Sequence, residues 1–404
     1  MPASMRSSVW LLQSLVSNGL FPWPAFAGLV RVFPLDALSW LHGTLVSRLL
    51  KASKDRSHWH GLRLLAADKT TLALPESRSL FERFGAHKGS QGLGPVAVEL
   101  CCLFDLISRA PLRFIYGKVC ASEHKLILKL LKHLKKGDLL LLDSGFYYCA
   151  TFVKILRRRA HFIIPTKTTT RPRVVRKLAD GDYLCEIKDS YNKTTLTVRV
   201  VFVHRDGFRR RRLVTSLADP VLFPASELAR LYHMRWDIET FYRDFKHTLG
   251  AISWHCQSPE TFHQELLVHM IVLCLIRIAM LDASRLANVS VAQLSFARAL
   301  TETRLLFKLL VSSAAMDLWA SIWAAFVLCC TRHRVRSKPG RQFPRDRQEY
   351  RRKSRGLEKP RRGRRPRNKE ATPLPPRPET RKDSKGVAFV INQYHRHSRW
   401  FDWP

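Results

Sequence analysis

The stretch LRLLAADKTTLAL, residues 62–74, decides the fold of this chain of 404 residues. An apolar run from Leu62 to Ala67 leads into Asp68, and the pattern then continues through Thr70 to Leu74, which is typical of a strand. A carboxylate inside such a strand is costly when it has no partner. Asp68 is therefore a candidate functional residue.

The segments that follow alternate between strand and helix patterns. Further strands are predicted at 96–107, 112–116, 139–142 and 161–165, and helices at 123–136 and 146–159. Asp143 directly follows the four leucines of the 139–142 strand, so a second carboxylate lies at a strand end. Short β segments between 166 and 223 predict a β-rich insertion, and helices resume at Ser226 and continue to about Cys330. This order predicts an α/β fold.

The charge of the chain is strongly positive. It has 69 Lys and Arg residues against 32 Asp and Glu residues, a formal charge of +37 at pH 7. Residues 332–385 hold 22 basic and 6 acidic residues, so the rest of the chain still carries +21. An excess that persists through the folded part predicts contact with phosphate backbones over a broad surface, with membrane headgroups as the alternative.

The cysteines and the apolar segments indicate the cellular compartment in which the protein is expected. The nine cysteines include no Cys-x2-Cys pair of the kind that binds zinc or runs redox chemistry. We expect free thiols and a cytoplasmic, nucleoid-associated protein. The longest strongly apolar run, Leu266–Leu281, contains His269 and Arg277 and is shorter than the roughly 20 residues that span a bilayer. It predicts a buried helix and no membrane partner.

The segment from Ser226 to Gly250 predicts one helix with two stripes of side chains. Spacings of three and four define an apolar face, formed by Leu231, Met234, Ile238, Phe241, Phe245 and Leu249. A second stripe lies one residue ahead and contains Tyr232, Arg235, Glu239, Tyr242 and Lys246. The alternative interpretation is an ordinary solvated edge with i to i+4 ion pairs. Because the apolar face must pack on the sheet, we expect Glu239 to approach the strands.

Three acids placed in this way predict a metal site formed by Asp68, Asp143 and Glu239. Mg²⁺ (or Mn²⁺) takes oxygen ligands, and three carboxylates can hold two ions about 4 Å apart. Two such ions clamp the attacking and leaving oxygens of a phosphoryl transfer. The neighbouring side chains would contact or orient a phosphate, and these are Arg235, Lys246 and Tyr232.

The spacing Tyr232-x2-Arg235-x3-Glu239-x6-Lys246 resembles the Tyr-x2-Arg-x3-Glu-x6-Lys signature of DDE transposases of the insertion-sequence-four family. Asp68-Lys69-Thr70 and Asp143-Ser144-Gly145-Phe146 are similar to the two aspartate motifs of that family. The resemblance runs from about residue 62 to about residue 281. It implies that the three acids are the catalytic, metal-binding residues.

The resemblance also implies a ribonuclease-H-like mixed sheet flanked by helices and interrupted by a β-rich insertion. We divide the chain accordingly. Residues 1–60 form a helical N-terminal region that is a candidate for DNA-end binding, and 61–165 form the first part of the catalytic domain. The insertion follows at 166–223, the glutamate-bearing helix and C-terminal helices at 224–330, and a basic Pro/Arg-rich tail at 331–404. The tail is predicted to be mostly disordered because its composition cannot offset the entropy of ordering.

The activity and partners implied by the resemblance are those of a transposase. Such an enzyme hydrolyses a phosphodiester at the transposon end with Mg²⁺ (or Mn²⁺), and the freed 3′ hydroxyl then attacks target DNA. The expected partners are transposon-end inverted-repeat DNA, target DNA and a second copy of the chain, as a homodimer on DNA. Two alternatives are a structure-specific nuclease of the same fold and a decayed or noncatalytic nucleic-acid-binding protein.

Three positions beside these motifs have more than one interpretation. Lys69 stands where the family commonly has a small residue, and a lysine there could pair with Asp68 and weaken metal binding. Trp236 could stack on an extruded base of bound DNA, or it could pack beneath the inserted strands. Glu123 is similar to a polar residue that the family places near the site, or else it pairs with the dipole of its own helix.

Overall fold

The computed structural model describes residues 34–53, 58–89, 92–166, 172–189, 194–203, 211–312 and 319–335. All of these residues lie in one compact unit, Met1–Arg336. The predictions for the first 33 residues and for the basic tail beyond residue 335 fall outside these ranges.

An eleven-stranded sheet forms the centre of the described part of the chain. Its strands are β1 (His58–Trp59), β2 (Leu62–Ala73), β3 (Ala86–Gly89), β4 (Gly92–Asp105), β5 (Pro111–Lys118), β6 (Asp138–Leu141), β7 (His161–Pro165), β8 (Arg173–Ala179), β9 (Asp182–Asp189), β10 (Thr194–Val203) and β11 (Arg211–Thr215). The α-helices around it are α1 (Leu35–Ser53), α2 (Arg78–Phe84), α3 (Glu123–Leu130), α4 (Cys149–Arg157), α5 (Ala225–His233), α6 (Trp236–Arg243), α7 (Pro259–Leu286), α8 (Phe296–Ser312) and α9 (Trp319–Arg332).

Five neighbouring strands carry the candidate site, in the order β5-β4-β2-β6-β7. The first three form an antiparallel meander, in which Asp68 of β2 faces Cys102 of β4. The next two strands run parallel to β2, and Ala66 faces Leu141 of β6. The sheet is therefore mixed and flanked by helices, and the predicted strands over residues 62–74, 139–142 and 161–165 are confirmed.

The strands between residues 173 and 215 continue the same sheet. They pair antiparallel with one another from β8 to β11, and β11 then pairs with β7 through Val214 and Ile164. A buried ion pair links two of these strands, because Arg199 Nε lies 2.8 Å from Asp182 Oδ1. The β-rich segment predicted as an insertion thus lengthens the central sheet beyond β7.

Different helices cover the two faces of the sheet, because successive side chains of a strand point to opposite sides. On one face, Phe104 of β4 contacts Phe241 of α6, with ring centroids 4.9 Å apart. On the other face, a Cβ at Gly117 of β5 would lie 3.1 Å from Leu126 of α3. Helix α6 and helix α3 are therefore on opposite sides of the same strands.

Helix α7 is the apolar helix predicted around residues 266–281. By length and composition alone it could cross a membrane, but 83% of its most apolar 18-residue stretch is buried inside the protein. Pro259 begins the helix, and Ser258 and Thr261 form a capping box at its start. Arg277 is buried in its middle and pairs with Asp244 at 2.8 Å. The prediction of a buried helix is confirmed.

The prediction of one continuous helix from residue 226 to residue 250 is wrong. Helix α5 ends at His233, and α6 begins only at Trp236. At the junction, the N–H groups of Met234 and Arg235 donate to carbonyls three residues earlier, which is a tighter winding than the α-helix. Periodicity could not reveal this break, because side-chain spacings of three and four persist across a single tight turn.

Candidate active site

The candidate site lies where β2 continues past the end of β6. Pairing between these strands stops at Ala66 and Leu141, whereas β2 extends to Ala73. Side chains supply partners for backbone groups of this stretch: the N–H of Lys69 donates to Asp68 Oδ1 at 2.8 Å, and Lys246 Nζ donates to the carbonyl of Thr71 at 2.7 Å. Asp68 and Lys246 are thereby both held along residues 68–71 of β2.

Two tyrosines of the helical stripe attach their helices to the strands that carry the aspartates. The Tyr232 hydroxyl donates to the carbonyl of Leu142, the residue before Asp143, at 3.1 Å. The Tyr242 hydroxyl donates to the carbonyl of Asp68 at 2.6 Å and accepts from the N–H of Cys102 at 3.2 Å. Burial raises the pKa of both phenols, so both remain neutral donors.

Arg235 lies between the predicted catalytic acids. Its Nη2 is 3.0 Å from Glu239 Oε1, and its Nη1 is 3.9 Å from Asp68 Oδ2. The charge of Asp143 also acts on this guanidinium. Arg235 is buried, whereas the Glu239 side chain is 41% exposed. Asp68 and Glu239 therefore contact one buried cation, and Asp143, two residues beyond the end of β6, is near enough for its charge to act on that cation.

The electrostatics of Asp68 reflect this crowding. The pKa of its carboxyl is raised to about 6, with burial as the largest cause and the charges of Asp143 and Glu239 as smaller ones. The N–H of Lys69 and the guanidinium of Arg235 oppose the shift. A carboxylate in this environment is stabilised by added positive charge.

The donor chemistry suits a hard divalent ion, but the acids are not arranged as a finished cage. Asp68, Asp143 and Glu239 offer the oxygen ligands that Mg²⁺ and Mn²⁺ prefer. Within the described part of the chain, no group of three His, Cys, Asp or Glu residues is close enough to hold a metal ion as it stands. The Arg235 guanidinium bridges two of the acids instead. A bound ion would therefore compete with Arg235 for the carboxylates of Asp68 and Glu239.

Lys69 does not pair with Asp68, which corrects the expectation for this position. Its ammonium lies 3.2 Å from Glu99 Oε2 of β4 and 3.5 Å from the carbonyl of Ala121. Glu99 is 2% exposed and also accepts from the Thr71 hydroxyl at 3.0 Å. The reason is the alternation of a strand, which points residues 68 and 69 to opposite faces of the sheet.

The remaining predicted DNA-contacting residues lie around these acids in different environments. Lys246 is half-buried on the backbone of β2, and burial lowers its pKa. Trp236 is 48% exposed, so it does not pack beneath the strands of the insertion. Its ring centroid is 5.4 Å from the Arg235 guanidinium carbon. An exposed indole therefore lies beside the central cation.

The sequence patterns did not single out Glu99, and they favoured the dipole of its own helix as the partner of Glu123. The Glu123 carboxylate lies so close to Gly145 that a side chain at that glycine would collide with it. Helix α3 thus begins against the turn that follows Asp143, which brings a fourth acid to the vicinity. The signal for Glu99 was the same as for Asp68, a single acid within an apolar strand.

Residues 59–275 match the family described as Transposase DDE domain, and the chain belongs to that family. The resemblance inferred from the sequence is confirmed. Members of this family generally use divalent metal ions.

One relative is Transposase InsG for insertion sequence element IS4 of Escherichia coli (strain K12). The two chains are 30% identical over 282 residues, which cover 66% of this chain and 61% of InsG. This chain therefore spans about three fifths of that relative's length. A cryo-EM structure of the piggyBac transposase synaptic complex with hairpin DNA matches with a TM-score of 0.39 and 11% identity, over 69% of this chain and 58% of that chain.

Proposed function

We propose that this protein is a DNA transposase of an insertion sequence. It cuts transposon ends by metal-dependent phosphodiester hydrolysis and joins them to target DNA by transesterification. The observation that carries this proposal is the convergence of Asp68, Asp143 and Glu239 on Arg235 in a chain with a transposase DDE domain. The strand order β5-β4-β2-β6-β7, with the last two strands parallel to β2, supports a ribonuclease-H-like sheet.

The three acids would hold Mg²⁺ or Mn²⁺, two ions per site. When bound, such ions polarise the phosphodiester and lower the pKa of water, which supplies a nucleophile at neutral pH. Arg235 then contacts a phosphate oxygen of the DNA in place of the Glu239 carboxylate, because a guanidinium binds either anion through paired N–H groups. Lys246 adds positive charge at the same edge of β2.

The two buried tyrosines keep the acids in position. Tyr232 holds the end of β6 beside Asp143, and Tyr242 holds the middle of β2 at Asp68. Because both phenols stay neutral, neither adds a negative charge to the acids. Trp236 presents an exposed ring beside Arg235 and offers a stacking surface for a DNA base.

The chemistry exchanges one phosphodiester for another. In the first reaction, water attacks phosphorus, the bond from phosphorus to the 3′ oxygen breaks, and that oxygen takes up a proton. In the second, the new 3′ hydroxyl loses its proton and attacks a target phosphorus, which releases a hydroxyl on the target strand. The number of ester bonds is conserved in this second reaction, so joining needs no nucleotide hydrolysis.

The proposed partners follow from this activity. They are inverted-repeat DNA at the transposon ends, target DNA and a second copy of the chain in a homodimer on DNA. The catalytic domain would comprise residues 61–165 and 224–330 with the insertion at 166–223 between them, and residues 1–60 would bind transposon ends. We propose a cytoplasmic, nucleoid-associated protein with no membrane partner.

The test is cleavage of DNA that carries the terminal repeats of the element. We expect purified protein with Mg²⁺ or Mn²⁺ to nick this DNA, and Glu239→Gln to abolish nicking while DNA binding remains. Glu227→Gln is the matched control, because Glu227 is an acid of the preceding helix α5 that pairs with His60 rather than with Arg235. This control should nick like the unaltered protein.

Three outcomes would contradict parts of the proposal. Nicking that survives Glu239→Gln would remove Glu239 from the site. Binding without any metal-dependent nicking would identify a noncatalytic DNA-binding protein. Nicking without joining of a precut end would identify a nuclease of the same fold.

A further inference from the structure

Helices α3 and α4 form a strongly basic surface on the sheet face opposite α6. Between residues 123 and 159 the sequence contains nine Lys and Arg residues and three acids. All nine cations are exposed, namely Lys125, Lys129, Lys132, Lys135, Lys136, Lys154, Arg157, Arg158 and Arg159. The segment therefore carries a net charge of +6.

The three acids of this segment do not neutralise the surface. Asp138 is buried and forms a bidentate pair with Arg63, with both distances 2.9 Å. Asp143 belongs to the candidate active site, and Glu123 packs against Gly145 beside it. The nine exposed cations therefore face solvent with no acid of their own segment among them.

A groove runs between the two helices, with a volume of about 350 Å³. Six residues line it: Leu128, Leu131, Lys132, Lys154, Arg157 and Arg158. The two leucines supply apolar surface, and four cations border it from both helices. We call this feature the α3–α4 groove. The positive charge is felt by His133 beside the groove. Its pKa is lowered by burial first, and then by the charges of Arg113, Lys132 and Arg158.

The dimensions of the surface suit a nucleic-acid backbone. Lys125, Lys129 and Lys132 follow the spacing i, i+4 and i+7, so they lie on one side of α3 and its continuation over roughly 10 Å. Successive phosphates of one DNA strand advance about 3.4 Å along the duplex axis, so this length matches roughly three phosphates. Lys154, Arg157 and Arg158 form a second row on α4.

The composition of the lining favours phosphate contact over base recognition. Adenine is read by amide side chains and cytosine by carboxylates, whereas Arg and Lys contact both guanine edges and phosphates, and single strands are bound by aromatic stacking. The residues that line the groove offer only aliphatic and cationic side chains. Without amide, carboxylate or aromatic groups in this lining, the contact that its four cations can all make is to phosphates, and phosphate contacts position a duplex.

We propose that the α3–α4 groove binds the phosphate backbone of duplex DNA that extends away from the cleavage site, without sequence recognition. This inference rests on the proposed function, because it assigns a second contact to the DNA held at the acids. The start of α3 at Glu123 touches the turn after Asp143, so the basic surface begins next to the site. DNA that leaves the acids along α3 meets the groove.

The test compares two variants with the same change of charge. The groove variant has Lys132→Gln, Lys154→Gln, Arg157→Gln and Arg158→Gln. The control has Arg173→Gln, Arg176→Gln, Lys177→Gln and Lys188→Gln, at exposed positions of strands β8 and β9. Binding of a duplex that lacks terminal repeats is measured by fluorescence anisotropy over a range of salt concentrations. Each lost phosphate contact lowers the slope of log K against log salt by about 0.9.

We expect the groove variant to lose about 3 units of this slope and to bind at least about tenfold more weakly at physiological salt. The control should lose less than about 1 unit. A variant with only Lys132→Gln and Arg158→Gln should lose about half as much of the slope as the fourfold variant. A graded loss of this kind is not expected from misfolding. The thermal unfolding of this twofold variant should match that of the unaltered protein.

Several results would overturn the proposal. An unchanged slope would show that no phosphate binds in the groove, and an equal loss in the control would show a general effect of net charge. Loss of binding to vesicles of anionic lipid, with DNA binding intact, would assign the surface to a membrane. If terminal-repeat DNA is still nicked while the slope is unchanged, the groove inference alone fails. If the slope falls but no nicking occurs with any metal, the proposed function fails and the groove stands.

Discussion

Lys69 forms an ion pair with Glu99 of the neighbouring strand, at 3.2 Å from Nζ to Oε2, although Asp68 is its neighbour in sequence. The two residues lie diagonally across the β2–β4 ladder, because Lys69 faces Cys101 and Glu99 faces Thr71. Glu99 therefore holds the ammonium on the face of the sheet opposite the Asp68 carboxylate. For this reason, a lysine next to Asp68 in the sequence is compatible with the proposed metal site.

Glu99→Gln should destabilise the protein, because it leaves the Lys69 ammonium without its partner in a mostly buried place. We expect a loss of about 2–4 kcal/mol in the free energy of unfolding, measured by urea denaturation. Adding Lys69→Met should recover much of this loss, and a double-mutant cycle should give a coupling of about 1–3 kcal/mol. Strictly additive effects would contradict the pairing.

Arg235→Gln should strengthen metal binding, because the guanidinium occupies the space between Asp68 and Glu239. We expect Mn²⁺ to bind roughly five times more tightly in isothermal titration, since an ion pair worth about 1 kcal/mol no longer competes. Nicking should nevertheless fall, because the phosphate contact is lost. Arg109→Gln is the matched control, since Arg109 pairs with Asp237, and its Mn²⁺ affinity should not change. Weaker Mn²⁺ binding in Arg235→Gln would show that Arg235 does not compete.

Asp244→Asn should be severely destabilising, because it strands the charge of Arg277 inside the protein. Arg277 lies in the middle of α7, and its guanidinium also stacks 4.5 Å from the ring centroid of Phe296. We expect a loss of about 3–5 kcal/mol by urea denaturation, much of it recovered when Arg277→Met is added. Asp282→Asn, which breaks an exposed pair with Arg285 on the same helix, should cost less than about 1 kcal/mol.

Acid should destabilise the protein through two buried histidines. Burial lowers the pKa of both His42 and His269 from the usual 6.5 to about 4. The unfolded chain therefore binds protons that the folded protein does not, and stability falls as the pH drops from about 6.5 toward 4. Each histidine would contribute roughly 3 kcal/mol to this loss. In a variant with His42→Gln and His269→Gln, stability measured between these pH values should fall less steeply, and an equal slope would contradict the assignment.

Local sequence predicted most of the elements and proposed the residues of the site. Apolar runs that end in an acid predicted β2 and β6 with Asp68 and Asp143, because a buried carboxylate is tolerated only where it has a partner or a function. Spacings of three and four predicted which side chains of residues 226–250 are buried, and Ile238, Phe241 and Phe245 are fully buried. The motif spacing predicted the family, which the comparison of residues 59–275 confirmed.

Only the tertiary structure decided which of these residues contact one another. The position of Arg235 between Asp68 and Glu239 depends on the tight turn between α5 and α6, and that turn leaves no mark on the apolar periodicity. The partner of Lys69 depends on which residue of β4 lies opposite it, which is a matter of strand register. The strands after residue 173 joined the central sheet because the edge of β7 was free to pair with β11. Each of these outcomes arises from contacts between residues distant in the chain, which no local pattern encodes.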